Sequence, residues 1–360
     1  MSMLRLSLFA SLLLTAPLLA QEVPPPVGAS IVEPQARLEL LFTRSAPIEG
    51  GLTEGPAAAP DGSIYFSDIP LEGFDGMILR FDPRTRQTSV FARNSFQSNG
   101  LFFDAEGKLI ACEGAAGGGR GIARWDTRTG ERTVLVDRYK GKRFNSPNDV
   151  CLDAQGRIYF TDPRYVGSEP REIDVQAVYR IDTDGHVEEL TRAVSKPNGI
   201  ALSPDEKTLY VVEHDNGTDR IGADDAKPTP GKMRVVAFPF TADGKIDGAA
   251  RTLVDFGQEP SADGITVDAQ GNVYLTCRSP RRPGVMVVTP TGREIAFIAT
   301  GPANQHRDDS AAAPTGLPSN VEFGVGDDAH TLYITVDTSL YRIRVLARGP
   351  DREFGARGAN

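Results

Sequence analysis

Glu54, Asn99, Asn148, Asn198, Asp263 and Asn320 occupy one equivalent position in a sequence repeat. Six short segments read as versions of a single strand: Ser63-Ile64-Tyr65-Phe66, Lys108-Leu109-Ile110-Ala111, Arg157-Ile158-Tyr159-Phe160, Thr208-Leu209-Tyr210-Val211, Asn272-Val273-Tyr274-Leu275 and Thr331-Leu332-Tyr333-Ile334. Counting back 11 residues from the strand Tyr, or from Ile110 in its place, gives Glu54, Asn99, Asn148 and Asp263. One or two residues inserted at the turn put Asn198 12 before Tyr210 and Asn320 13 before Tyr333. Every repeat therefore places Glu, Asn or Asp at the same point.

Two carboxylates and four carboxamides, with no His or Cys among them, form a set of hard oxygen donors. Such a set suits a divalent cation: the carboxylates cancel its charge and the amide oxygens add coordination without adding charge. Calcium, which tolerates irregular geometry, fits first; magnesium and zinc are the alternatives. The plain alternative is that Asn99-Gly100, Asn198-Gly199 and Asp263-Gly264 are ordinary turn dipeptides. Against it, turns would equally accept Ser, Gly or Pro, whereas the six positions hold only carboxylates and carboxamides.

A second column stands three residues after the strand Tyr: Asp68, Glu113, Asp162 and Glu213, then Cys277 and Val336. Its acidic members either orient ligands or bind loop amides at strand ends. His214 follows Glu213 and is read either as a solvated loop residue or as a substrate contact. Both columns belong on one face, opposite the Asp-Gly turns.

These positions require strands to hold them. Each repeat segment is entered from a polar turn, such as Asp61-Gly62 or Gln155-Gly156, and reads as the second strand of a hairpin. Two further strands follow, as in Ala177 to Ile181 and His186 to Leu190. No stretch sustains a helical apolar period. Four strands repeated six times predict an all-β, six-bladed β-propeller. A ring must close to avoid an exposed edge, and the last repeat, ending with Ser339 to Val345, is one strand short. Arg37 to Phe42 is a spare strand, and the two are predicted to pair. The resulting division is a signal peptide over 1–20, a Pro-rich linker over 21–36, the propeller over 37–346 and a flexible C-terminal tail over 347–360.

The first 20 residues carry a basic start at Arg5, an apolar core and the small residue Ala20 at the end, the order of a secretory signal. An uncleaved membrane anchor is the alternative. No later stretch is long and apolar enough to span a bilayer. The mature protein is therefore expected to be secreted or periplasmic and not to associate with a membrane. Net charge is −9 with acidic and basic residues interspersed, so no basic stripe exists to bind nucleic acid. The three cysteines, Cys112, Cys151 and Cys277, lie in apolar strand-like runs and read as buried free thiols. A Cys112–Cys277 bridge is the alternative. Nothing in the sequence specifies an oligomeric state.

Three stretches carry a resemblance to a known family. Arg143-Phe144-Asn145-Ser146-Pro147-Asn148-Asp149-Val150 followed by Gly156 to Pro163, Ser195 to Asp205, and Ala262-Asp263-Gly264-Ile265 are similar to motifs of the gluconolactonase and senescence marker protein (regucalcin) family. That resemblance, which runs from about residue 37 to 346, implies a six-bladed propeller with one catalytic divalent ion. It implies Glu54, Asn148, Asn198 and Asp263 as metal ligands. Asn99 and Asn320 complete the ring, and with Asp149 and His214 they stand as substrate-binding or supporting residues. The Gly114 to Gly121 loop and the Gly217 to Pro230 insertion depart from what simple sugar lactonases would carry, and they bear on substrate identity.

The expected reaction is calcium-dependent hydrolysis of a small-molecule cyclic ester, a sugar lactone first. The ion would polarise the carbonyl and lower the pKa of a water, with Asp263 as general base. Metal attachment lowers the basicity of Asp263, which leaves Asp149 or His214 as outer bases. Hydrolysis of organophosphates or aryl esters at the same site is a second reading, and a non-catalytic, metal-plugged binding module a third. A serine-hydrolase route lacks its Gly-x-Ser-x-Gly elbow.

Overall fold

The repeated Tyr anchors the turn that enters its strand, as two blades show. Tyr159 donates its hydroxyl to Asp153 Oδ2 over 2.6 Å, and Tyr274 donates to Asp268 Oδ2 over 3.1 Å. The same two aspartates accept the amides of the turn that enters the strand, Gln155 and Arg157 in one case, Gln270 and Asn272 in the other. The turn signal and the strand Tyr are thus one structural unit, and the Tyr column serves folding.

The computed structural model describes residues 23–43, 48, 51–70, 76–218, 230–301, 316–352 and 354. Six four-stranded antiparallel sheets form the blades of a β-propeller. Blade 1 spans 52–93, blade 2 98–136, blade 3 150–191, blade 4 197–255 and blade 5 262–299, each in simple sequence order from the axis outward. In blade 6 the strands Pro318–Phe323, Thr331–Val336 and Ser339–Arg344 are completed by the N-terminal strand Glu39–Thr43. The expected closure is present, and it leaves no open seam in the ring.

Burial follows from this stacking. Thr331–Val336 is buried along its whole length because a neighbouring blade covers each face. The outermost strand of blade 1, Gln87–Arg93, is partly exposed throughout. Strands covered on both faces read as continuous apolar runs, while outer ones tolerate polar residues. Among the described residues the only helix is the single 3₁₀ turn Gly326–Asp328.

The described residues that flank the ring on either side are more engaged than expected. Within the presumed linker, Val27 bridges antiparallel to Phe297 at the outer edge of blade 5, and Ile31 and Val32 are buried in the core between blades 5 and 6. The presumed tail also packs. Gly349 N bonds Ala329 O at 2.9 Å, Arg352 pairs with Glu322 and stacks on the Phe102 ring, and Phe354 packs among Ala57, Leu101 and Phe103. These residues close one end of a cavity of about 550 Å³ along the axis, lined also by Asp149, Asn320 and Glu322. The signal segment lies outside the described residues. All three cysteines are buried free thiols, and Cys112–Cys277 is not bridged.

Candidate metal centre

Column residues sit where the innermost strands are irregular. In blade 1 the pairing runs from Glu54 opposite Ser67 to Ala57 opposite Tyr65, one residue longer on the inner strand. The same extra residue occurs around Asn99, Asn198, Asp263 and Asn320. A β-bulge re-aims a side chain out of the strand's alternation, and here it does so at one level in five blades. In blade 3 the ladder starts at Val150, and Asn148 is held just before it by its amide bond to Thr161 O at 2.9 Å.

The Asn-Gly and Asp-Gly pairs are not turns. They lie within strands, and the glycines exist because neighbouring blades nearly touch there. A Cβ on Gly100 would come within 2.4 Å of Asp149 Oδ1, and one on Gly264 within 2.2 Å of Asn320 Oδ1. Hydrogen bonds from one blade to the next stitch the ring at this level. Ser67 Oγ donates to Asn99 O (2.7 Å), Gly100 N to Asn148 O (2.7 Å), Thr161 Oγ1 to Asn198 O (2.7 Å), Thr276 Oγ1 to Ser319 O (2.8 Å) and Ser319 Oγ to Thr53 O (2.6 Å). The hydroxyls of Ser67, Thr161 and Thr276, two residues after the strand Tyr, are positioning groups absent from the sequence reading, although their period is visible in it.

Carboxylates come from alternate blades: Glu54 from blade 1, Asp149 from blade 3 and Asp263 from blade 5. Burial and the nearby charges of Asp263 and Asp149 push the Glu54 carboxyl well above the usual carboxylate range. Burial raises Asp149 to about 7, against the bonds it accepts from Val150 N, Ile200 N and the Asn320 side chain. Arg278, at the end of the second strand of blade 5, is the cation that opposes this repulsion. Its Nε lies 3.5 Å from Asp263 Oδ2 and its Nη1 donates to Pro318 O at 3.3 Å. Arg278 occupies in blade 5 the position His214 holds in blade 4, four residues after the strand Tyr, and it is a further residue the sequence reading missed.

His214 is not in a loop. It ends the second strand of blade 4, half-buried, with Nδ1 3.0 Å from Ala262 O and 3.1 Å from Ser261 Oγ. Burial holds its pKa below the usual histidine value. The acidic second column mostly serves loop amides. Asp162 accepts Asn145 N (2.8 Å) and Ser146 N (2.7 Å), Glu213 accepts Ser195 N (2.6 Å), and Asp68 accepts Gly51 N (2.6 Å). Glu113 instead takes Arg132 through both its oxygens. Asp162 still bears on the site, since the loop it pins presents Asn148. The Gly-rich loop packs against its neighbours through Ala115 N to Ser146 Oγ (2.9 Å) and Gly117 N to Glu169 Oε1 (2.7 Å). Most of the Gly217 to Pro230 insertion lies outside the described residues.

The donors fit a dication. Glu54 feels the charges of both Asp149 and Asp263, and Asp149 feels that of Asp263, and among the described residues no side chain bonds the Asn148 amide or Asn198 Oδ1. Among those residues no three acidic, His or Cys side chains form a metal-binding cluster by themselves. A cation here would therefore take amide oxygens together with carboxylates.

A closed ring of six four-stranded blades, with acidic and amide side chains on its innermost strands, defines a six-bladed β-propeller. The model of the SMP-30/gluconolactonase/LRE-like region matches residues 52–338, and the chain belongs to that family. It is 29% identical to a gluconolactonase of Zymomonas mobilis, over 87% of this chain and 85% of the relative. It is 28% identical to the pentonolactonase XacC of Haloferax volcanii, over 82% and 85%. A gluconolactonase structure from Xanthomonas campestris superposes with a TM-score of 0.69 at 28% identity, over 89% of this chain and 95% of that one. A regucalcin from Agrobacterium tumefaciens, described as calcium-binding, shares the fold at 18% identity and a TM-score of 0.60 over 85% of this chain and 97% of that one.

Proposed function

We propose that this chain hydrolyses a lactone, a sugar lactone first, with a divalent cation held by Glu54, Asn148, Asn198 and Asp263. The observation that carries this reading is that Glu54, Asp149 and Asp263, on alternate blades, act electrostatically on one another in a chain whose relatives include a gluconolactonase and a pentonolactonase. Calcium is the first choice because every donor is a hard oxygen. A bound dication would supply positive charge to a lactone carbonyl oxygen and acidity to a water.

The protein supplies the remaining steps. Asp263 is half-buried beside Arg278 and accepts a proton as water oxygen bonds to the carbonyl carbon. The ring C–O bond then breaks, and the proton passes to the departing ring oxygen, which leaves as a hydroxyl of the open-chain acid. His214 is the alternative base: with Nδ1 donating to Ala262 O, Nε2 is its acceptor nitrogen. Asp149 is less suited, because its oxygens already accept Val150 N and Ile200 N. Asn99, Asn320 and the loop carrying Ala115 line the approach, and the enzyme acts outside the cytoplasm after removal of residues 1–20.

A panel of aldonolactones, homoserine lactones, aryl esters and a fluorophosphate, assayed before and after chelation, tests this reading. Metal-dependent turnover of a lactone supports it. Turnover of the fluorophosphate or aryl esters alone would move the substrate class, and no metal-dependent turnover of any ester would leave a binding module.

A further inference from the structure

Tyr165 has no part in the scheme above, yet it touches the candidate ligand Asn198. It lies in the loop after the second strand of blade 3, and its hydroxyl reaches across to blade 4. Tyr165 Oη is 3.0 Å from His214 O and 3.3 Å from Asn198 Nδ2. The Lys196 ammonium sits 4.4 Å above the Tyr165 ring and is itself tied to Asn216 Oδ1 at 2.8 Å and to Thr218. The His214 ring packs against another side of the same ring, 6.3 Å between centroids.

The hydrogen-bond inventory decides what these contacts mean. A carbonyl oxygen only accepts, so the single hydroxyl proton of Tyr165 is committed to His214 O. What remains towards Asn198 is a lone pair, which only the amide NH₂ can satisfy. The amide is thereby prevented from turning over, and its oxygen is directed away from Tyr165. Asn198 is itself buried, so an unfixed amide would be free to choose either orientation only at the loss of a buried bond.

We infer that Tyr165 is a positioning residue that fixes the Asn198 amide with its oxygen available to a divalent cation. This rests on the reading that Asn198 is a ligand. Groups that orient ligands typically change metal affinity 10- to 100-fold when removed, as an order of magnitude.

The test is calcium titration by calorimetry, with terbium(III) as a luminescent substitute, on the wild type, Tyr165→Phe, Asn198→Ala and the double variant. Tyr165→Phe is expected to weaken calcium binding roughly tenfold. Terbium lifetimes in H₂O and D₂O are expected to show a gain in bound water of up to about one, as the ligand is lost in part of the population. The metal-free melting temperature is expected to stay within about 2 °C of wild type, which separates positioning from general loss of structure. In the Asn198→Ala background, Tyr165→Phe should have no further effect on affinity. If Asn198→Ala weakens binding and Tyr165→Phe does not, or if the two losses add in full, the inference is overturned and the ligand reading stands. If Asn198→Ala binds calcium as wild type does, both fall.

Discussion

Thr161 of blade 3 donates its hydroxyl to the carbonyl of Asn198 in blade 4 over 2.7 Å, while accepting Asp149 N at 3.1 Å. One side chain thus spaces two blades and fixes the backbone of two residues at the mouth. Thr161→Val keeps the shape and removes both bonds. It should cost about 2 kcal/mol of stability, since a buried carbonyl and a buried amide lose their partner. It should also weaken calcium binding several-fold. Denaturant unfolding and calorimetric titration measure the two effects, and an unchanged stability would refute the stitching role.

Stability without metal should fall as pH rises. Burial raises both Asp149 and Asp162 to about 7, and Glu54 is raised as well by burial and its acidic neighbours. A carboxyl whose folded pKa exceeds its unfolded value gives stability that is complete below the unfolded value. That stability is lost as pH climbs through the folded one. Chelated protein should therefore melt roughly 5 °C lower near about pH 8 than near about pH 5. Saturating calcium should remove or reverse this trend, because the cation takes the deprotonated carboxylates. A chelated protein that gains stability over this range would contradict the assignment.

Asp162→Asn should loosen the presentation of Asn148. The Asp162 carboxylate accepts Asn145 N and Ser146 N at the base of the 143–148 loop, and an amide can present only one acceptor to those two donors. The expected results are a loss of about 2 kcal/mol and weaker calcium binding. Hydrogen exchange at Asn145 and Ser146 should accelerate, and protection at wild-type levels would show that the carboxylate is dispensable there.

The closing segment offers a contrasting prediction. Arg352→Ala leaves the buried Glu322 carboxylate without its guanidinium, at a cost of about 3 kcal/mol. Because Arg352 lies at the far end of the cavity from the metal mouth, calcium affinity should be unaltered. A parallel loss of affinity would show that the two ends of the tunnel are coupled.

The ring of six donors was legible in the sequence because propeller geometry converts a repeat position into a level on the axis. The irregular counts of 12 and 13 before Tyr210 and Tyr333 reflect longer hairpin turns, such as Pro204 to Lys207. The reason for Gly100 and Gly264 was not legible, because a close approach between blades leaves no local pattern distinct from a turn. The Ser67, Thr161 and Thr276 hydroxyls were visible as a column but read as nothing, since their partners lie in the next blade. Arg278 shares the repeat position of His214, but its partner Asp263 lies on another strand. Tyr165 escaped for a different reason: it lies beyond the strand end, where loop lengths differ between blades and the period stops carrying information. The engagement of Ile31, Val32 and Arg352 with the ring was hidden for the same reason.

Initial rates of aldonolactone hydrolysis, measured as isolated, after chelation and after calcium return, bear most directly on the centre at Glu54 and Asp263. Wild type should lose activity on chelation and regain it with calcium. Glu54→Gln should bind calcium at least about tenfold more weakly. Asp263→Asn, held at calcium levels that saturate it, should remain at least about 100-fold slower. Hydrolysis that persists through chelation, or a Glu54→Gln variant with wild-type calcium affinity, would contradict the account.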